Sequence, residues 1–137
     1  MKRTKAFLLS LALLGACVPV MPVSAKSFSW HASVQCQSTD VSIRKQLSFG
    51  RARPTTVVRD RIKLCTSHDY YLRARRGQRM SVHLVAGKKT SFTVYAPTDR
   101  ISEGVWDWTG ELPEDGEYQI SIGTDVTARY TLEVTIR

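Results

Sequence analysis

A chain of 137 residues suggests one domain. Its formal charge of +8 is unevenly spread: residues 44–89 hold 13 Lys and Arg against Asp60 and Asp69, whereas residues 90–137 hold 9 acids against 3 bases. A basic half suits anionic lipid, lipopolysaccharide or acidic glycan and an acidic half suits a cationic protein, unless these charges are simply the solvated outer faces of strands.

The chain opens on a targeting signal. Met1-Lys2-Arg3-Thr4-Lys5 is a positive n-region, and residues 6–16 form an apolar core too short to span a bilayer as a mature helix. Val23-Ser24-Ala25 fits an A-x-A-like cleavage site, giving a signal over residues 1–25 and a mature start at Lys26. Leu14-Gly15-Ala16-Cys17 resembles the bacterial lipobox, so the alternative is a lipoprotein signal over residues 1–16 with a lipidated Cys17. Both routes export the protein, to the periplasm or beyond, and only the second ties it to a membrane. Once Cys17 is removed or acylated, Cys36 and Cys65 remain as an even pair in an oxidising compartment, where a disulfide is expected. Closing a loop of about 30 residues would contribute about 3–4 kcal/mol on the chain-entropy model.

Residues 26–40 show no period and read as an irregular N-terminal arm. From 41 to 137 the pattern becomes period-two alternation punctuated by turn signals, which predicts an all-β, single antiparallel β-sandwich of about eight strands. The expected strands are 41–49, with Val41, Ile43, Leu47 and Phe49 on one face; 55–64, with Val58, Ile62 and Leu64 inward; 69–75, with Tyr70, Leu72 and Ala74 inward; and 79–85, with Met80, Val82 and Leu84. Between the last two, Arg76-Gly77-Gln78 predicts a tight hairpin, and Cys65-Thr66-Ser67 predicts a turn. Further strands fall at 90–95, at 105–110, at 118–122 with Tyr118, Ile120 and Ile122 in phase, and at 130–136. No 3.6-residue period appears in the mature chain.

No constellation for catalysis emerges, and the chain reads as a non-enzyme. His31, His68 and His83 are scattered outside any HExxH, and the mature cysteines form no CxxC, so neither a metal site nor a cofactor is predicted. Glu114, Asp115 and Glu117 are carboxylates in one loop without an apolar pocket to raise a pKa. Export argues against a nucleic-acid partner. Trp106 and Trp108, two apart in the 105–110 strand, share one face; outward they would stack on sugar or anchor an interface, inward they are core.

Two segments carry a resemblance. Asp69-Tyr70-Tyr71-Leu72-Arg73-Ala74-Arg75-Arg76-Gly77-Gln78-Arg79-Met80-Ser81-Val82 resembles the Y-x-x-x-A-x-x-G-Q-x-hydrophobic-x-V segment of bacterial periplasmic inhibitors of goose-type lysozyme. Leu112-Pro113, then Asp115-Gly116-Glu117-Tyr118, then Tyr130-Thr131-Leu132-Glu133-Val134 are similar to that family's Leu-Pro, Ser-Gly-x-Tyr loop and final strand. The match runs from about residue 47 to the C-terminus. It implies a β-sandwich whose 112–118 loop plugs a lysozyme's substrate cleft, with Glu114, Asp115, Gly116, Glu117 and Tyr118 as the partner-binding loop.

The chain departs from the family at Asp115, where Ser is common. A carboxylate beside a lysozyme's catalytic carboxyl is repelled unless one of them is protonated or Asp115 faces a cationic rim. Bacterial pre-peptidase C-terminal domains share the G-Q-x-hydrophobic strand and the L-P-x-x-G-x-Y corner, which gives the alternative of a non-catalytic module that binds envelope glycan. Residues 114–118 also resemble the tyrosine corner of Ig-like sandwiches. Tyr118 thus stands as either a contact residue or an internal pin.

Overall fold

Strict alternation puts every second side chain on the same face of an extended segment. In this computed structural model, which describes residues 41–137, that alternation builds β1 (Val41–Gln46), β2 (Thr55–Ile62), β3 (Thr66–Ala74), β4 (Arg79–Ala86), β5 (Thr90–Tyr95), β6 (Arg100–Val105), β7 (Asp107–Glu111), β8 (Gly116–Thr124) and β9 (Ala128–Ile136). They form two sheets. Sheet one runs β1-β3-β8-β5-β6 and sheet two runs β2-β9-β4-β7. The signal over 1–25 or 1–16, the arm over 26–40, Cys17 and Cys36 lie outside the described residues.

The inward rows of the central strands make the core: Tyr70 and Leu72 of β3, Met80, Val82 and Leu84 of β4, Phe92 and Val94 of β5, Tyr118, Ile120 and Ile122 of β8, and Tyr130, Leu132 and Val134 of β9 are all buried. Burying side chains of this size stabilises by about 1.5–3 kcal/mol each, and burial on one face holds each strand in its register.

The structure departs from the sequence expectations in four places. Arg76-Gly77-Gln78 is not a hairpin turn, because β3 lies in sheet one between β1 and β8 whereas β4 lies in sheet two between β9 and β7. The segment crosses between sheets, Gly77 takes φ +84°, and the Gly77 N–H donates to the Leu112 carbonyl at 2.9 Å. A local turn motif reports a change of direction, and either a hairpin or a crossover satisfies it. Next, β6 was not foreseen: its residues carry no continuous alternation, and it pairs with β5 as an edge strand with register shifts. The expected 41–49 strand ends at Gln46 and pairs parallel to β3 as a sheet edge. Val41 and Ile43 are consequently exposed, and only Leu47, past the strand end, is buried. Finally, the turn expected at 65–67 comes one residue earlier: β3 already begins at Thr66, and Cys65 turns the chain with φ 59°.

The edge between β1 and β2 is closed by polar side chains. Lys45 of β1 bonds Asp60 of β2 across the two sheets. Behind this pair the Tyr70 and Tyr130 hydroxyls meet at 2.5 Å, and Tyr130 also meets His68 Nδ1 at 2.6 Å. His68 Nδ1 lies 3.7 Å from Asp60. Burial holds the His68 imidazole below its ordinary pKa, and the neighbouring Lys45 charge acts in the same direction. Burial pushes the Tyr70 and Tyr130 phenols up. The Lys45 bond lowers the Asp60 pKa, against the opposing effect of its partial burial. His68 is thus a neutral link in an inter-sheet clamp at pH 7.

Candidate binding loop at one end of the sandwich

The 112–118 loop is built from both ends. Leu112 is fully buried, and its N–H donates to the Gln78 carbonyl at 2.8 Å while its own carbonyl accepts from Gly77. At the other end Tyr118 is fully buried, in phase with Ile120 and Ile122 and opposite Leu72 of β3. Its hydroxyl donates to the Glu114 carbonyl at 2.8 Å and accepts from the Glu114 N–H at 3.1 Å. A single phenol therefore satisfies both backbone groups of the residue four positions upstream, so Glu114 needs no sheet partner. Burial raises the Tyr118 pKa, so the hydroxyl keeps its proton.

Between these anchors the loop is held sideways. Asp115 accepts from the Arg76 N–H at 2.8 Å, and Glu114 accepts from the Thr98 hydroxyl at 2.5 Å. Gly116 has φ +147°, and a Cβ placed there would lie 2.8 Å from Pro97 Cγ. Glycine meets both demands, the backbone conformation and the close approach. The loop thus sits between the 75–78 crossover and the 96–99 segment, with Pro113, Asp115 and Glu117 exposed at its tip.

The tip is not uniformly acidic. Arg73 lies opposite Glu117 across β3 and β8, and Arg75 and Arg76 are exposed beside Asp115. An open groove of about 660 Å³ runs along this junction, lined by Arg73, Arg75, Gln78, Gly116 and Glu117. Asp115 turns one carboxylate oxygen onto the Arg76 backbone N–H. The arrangement presents exposed carboxylates and exposed arginines side by side at one end of the sandwich. Sequence reasoning missed Arg73, Arg75, Arg76 and Thr98 as neighbours of this loop. The Gly77-Gln78 pair was the available signal, but it says nothing of which distant loop the crossover touches.

The two tryptophans do not share a strand face. Trp106 is the bend where the chain leaves β6 in sheet one for β7 in sheet two, and its indole N–H donates to the Thr90 carbonyl at 2.6 Å. Trp108 lies on β7 opposite buried Val82 and packs against the core. Its ring covers Gly110, where a Cβ would come within 2.6 Å. The 105–110 run is split because a chain that changes sheets must bend. His68 and His83 are also apart: the first is buried in the inter-sheet clamp, and the second pairs with Asp107 on the exposed face of sheet two.

No protein-family model and no curated protein matches the chain. Its fold is that of solved periplasmic inhibitors. The structure of PliG from Aeromonas hydrophila, a periplasmic lysozyme inhibitor of g-type lysozyme, aligns with a TM-score of 0.66 at 22% identity, covering 72% of this chain and 99% of that one. The PliG inhibitor from Salmonella Typhimurium aligns at 0.57 with 18% identity, over 69% and 97% of the two chains. A PliG mutant from Escherichia coli aligns at 0.57 with 16% identity, over 71% and 99%.

Proposed function

We propose that this chain is an exported, non-enzymatic inhibitor of goose-type lysozyme and that the 112–118 loop enters the enzyme's substrate cleft. The observation that carries the reading is the loop itself. It is fixed by Tyr118 and Leu112, exposes Pro113, Asp115 and Glu117, and occurs on a sandwich with the fold of inhibitors of that enzyme class. Within the loop the roles divide. Glu114, Asp115, Gly116 and Glu117 supply the contact surface, and Tyr118 holds it in place from inside the core. The Arg76 N–H holds Asp115 in place, and the exposed Arg75 and Arg76 put positive charge at the same end of the sandwich.

The same reading includes a signal over residues 1–25, a periplasmic location and a Cys36–Cys65 disulfide that ties the segment before β1 to the β2–β3 turn. The alternative of a glycan-binding module keeps its shared motifs and Arg-rich strands but has no common Trp106–Trp108 face to stack on sugar.

The test is a titration of the exported protein into goose-type, chicken-type and invertebrate-type lysozymes with cell-wall lysis as the readout. Loss of lysis with the goose-type enzyme alone is the expected result. Full lysis by all three at micromolar protein refutes the reading.

A further inference from the structure

The outer face of sheet two carries a second surface, roughly 20 Å along β4 from the 75–78 crossover. Arg61 of β2 lies directly opposite Arg129 of β9, and Arg59 follows two residues along β2, opposite Thr131. Like charges placed opposite one another across an antiparallel pair destabilise it. Among the described residues no ion pair takes up any of these three arginines. They border an open groove of about 660 Å³ whose far wall is Val85, Ala86 and Gly87 of β4 and its turn.

Val85 and Ala86 also line the neighbouring depression, together with Lys88 and Trp106. Val85 is 58% exposed and Trp106 46% exposed. The surface is therefore continuous: an arginine cluster, an apolar ridge, then a lysine and an indole. The Trp106 N–H is already donated to Thr90, so the exposed part of the ring offers apolar surface and no hydrogen bond. Glu133, the acid nearest the cluster on β9, lies opposite Val57 and His83 rather than an arginine.

We propose that this face docks the protein on an anionic phospholipid surface, with Arg59, Arg61 and Arg129 on headgroup phosphates and Val85 and Trp106 in the interfacial layer. Charge complementarity selects the anion. Three arginines on one sheet face, each guanidinium able to grip phosphate in a bidentate way, suit a two-dimensional field of phosphates. An aliphatic side chain and the apolar part of an indole beside the cations suit the boundary between headgroup and acyl chain, where apolar surface flanked by basic residues settles. The proposal stands apart from the lysozyme reading, because the surface shares no residue with the 112–118 loop.

Vesicle flotation tests it, using the exported protein with phosphatidylcholine alone and with phosphatidylcholine mixed with phosphatidylglycerol, at low and at raised salt. Binding to the mixed vesicles only, weakened by salt, is expected. Arg61→Glu should lower that affinity about tenfold or more, since each basic residue near an anionic surface contributes to it. The same change should leave the thermal midpoint equal or raised, because it converts a like-charge pair with Arg129 into an opposite one. Val85→Thr should weaken binding by a smaller factor without changing the salt slope. All variants carry the same N-terminal residues, so any contribution from those cancels. Equal binding to both vesicle types, unchanged binding of Arg61→Glu, or capture of soluble polyglutamate in place of vesicles each overturns the proposal.

Discussion

Two groups of buried tyrosines hold this sandwich together in different ways. At the loop end, Tyr118 spends its hydroxyl on the backbone of Glu114 and fixes a local corner. At the β1–β2 edge, Tyr70 and Tyr130 spend theirs on each other and on His68, joining residues 60 or more apart in sequence. The first arrangement is a phenol bonded to backbone groups, with no imidazole in it. The second contains an imidazole, so the clamp between sheets responds to acid. A tyrosine hydroxyl bonded to backbone shapes a surface, and one bonded to other side chains couples layers.

The largest expected effect is at the loop end. Tyr118→Ala removes a fully buried ring and should lower stability by about 3–5 kcal/mol in denaturant unfolding. Tyr118→Phe separates the two roles of that residue. It keeps the ring and leaves both Glu114 backbone groups without their partner, which should cost about 1–3 kcal/mol and weaken lysozyme inhibition by more than the lost stability accounts for. If inhibition survives in Tyr118→Phe, the corner does not set the shape of the loop.

Gly116→Ala comes next. Strain at φ +147° and the approach to Pro97 should destabilise by about 1–3 kcal/mol, and inhibition should fall because the tip moves. A variant with unchanged inhibition would show that the loop tolerates a displaced tip.

The pH response sharpens the contrast. An unfolded imidazole titrates near 6.5, and burial lowers the folded value at His68. The unfolded chain therefore takes up the proton first, so stability present above about pH 6.5 is lost as pH falls through that value toward the folded pKa. Thermal midpoints should drop between pH 7 and pH 5, and His68→Phe should flatten that drop while Tyr118→Phe leaves it in place. A slope unchanged in His68→Phe would move the acid response elsewhere. Asp115→Ala has the smallest expected effect on stability, about 1 kcal/mol or less, since the Arg76 N–H it releases is exposed and can turn to water. Asp115→Ser keeps a hydroxyl acceptor at that place, and comparing the two variants in the lysis assay separates the charge at the tip from its hydrogen bond.

Period-two alternation was enough to mark the all-β class and the inward rows Tyr70-Leu72-Ala74, Met80-Val82-Leu84 and Tyr118-Ile120-Ile122, because burial of one strand face writes itself directly into residue order. The corner at 114–118 was also legible, since its bonds span only four residues. Sheet membership was not. A turn such as 76–78 fixes a change of direction but not which strand becomes the neighbour, and that choice is made by the whole core. The same limit hid the edge position of Val41 and Ile43, the break at Trp106 and the company of Asp115.

Charge followed the same rule. In sequence the basic and acidic halves stand apart, yet folding sets Arg73 opposite Glu117 and Arg79 opposite Glu111 in strand register and brings Arg129, from the acidic half, opposite Arg61. The sequence by itself determined which faces are apolar and how the loop closes, because both depend on near neighbours along the chain. Only the tertiary structure decided which charges meet, because strands far apart in order become adjacent when their buried faces share one core.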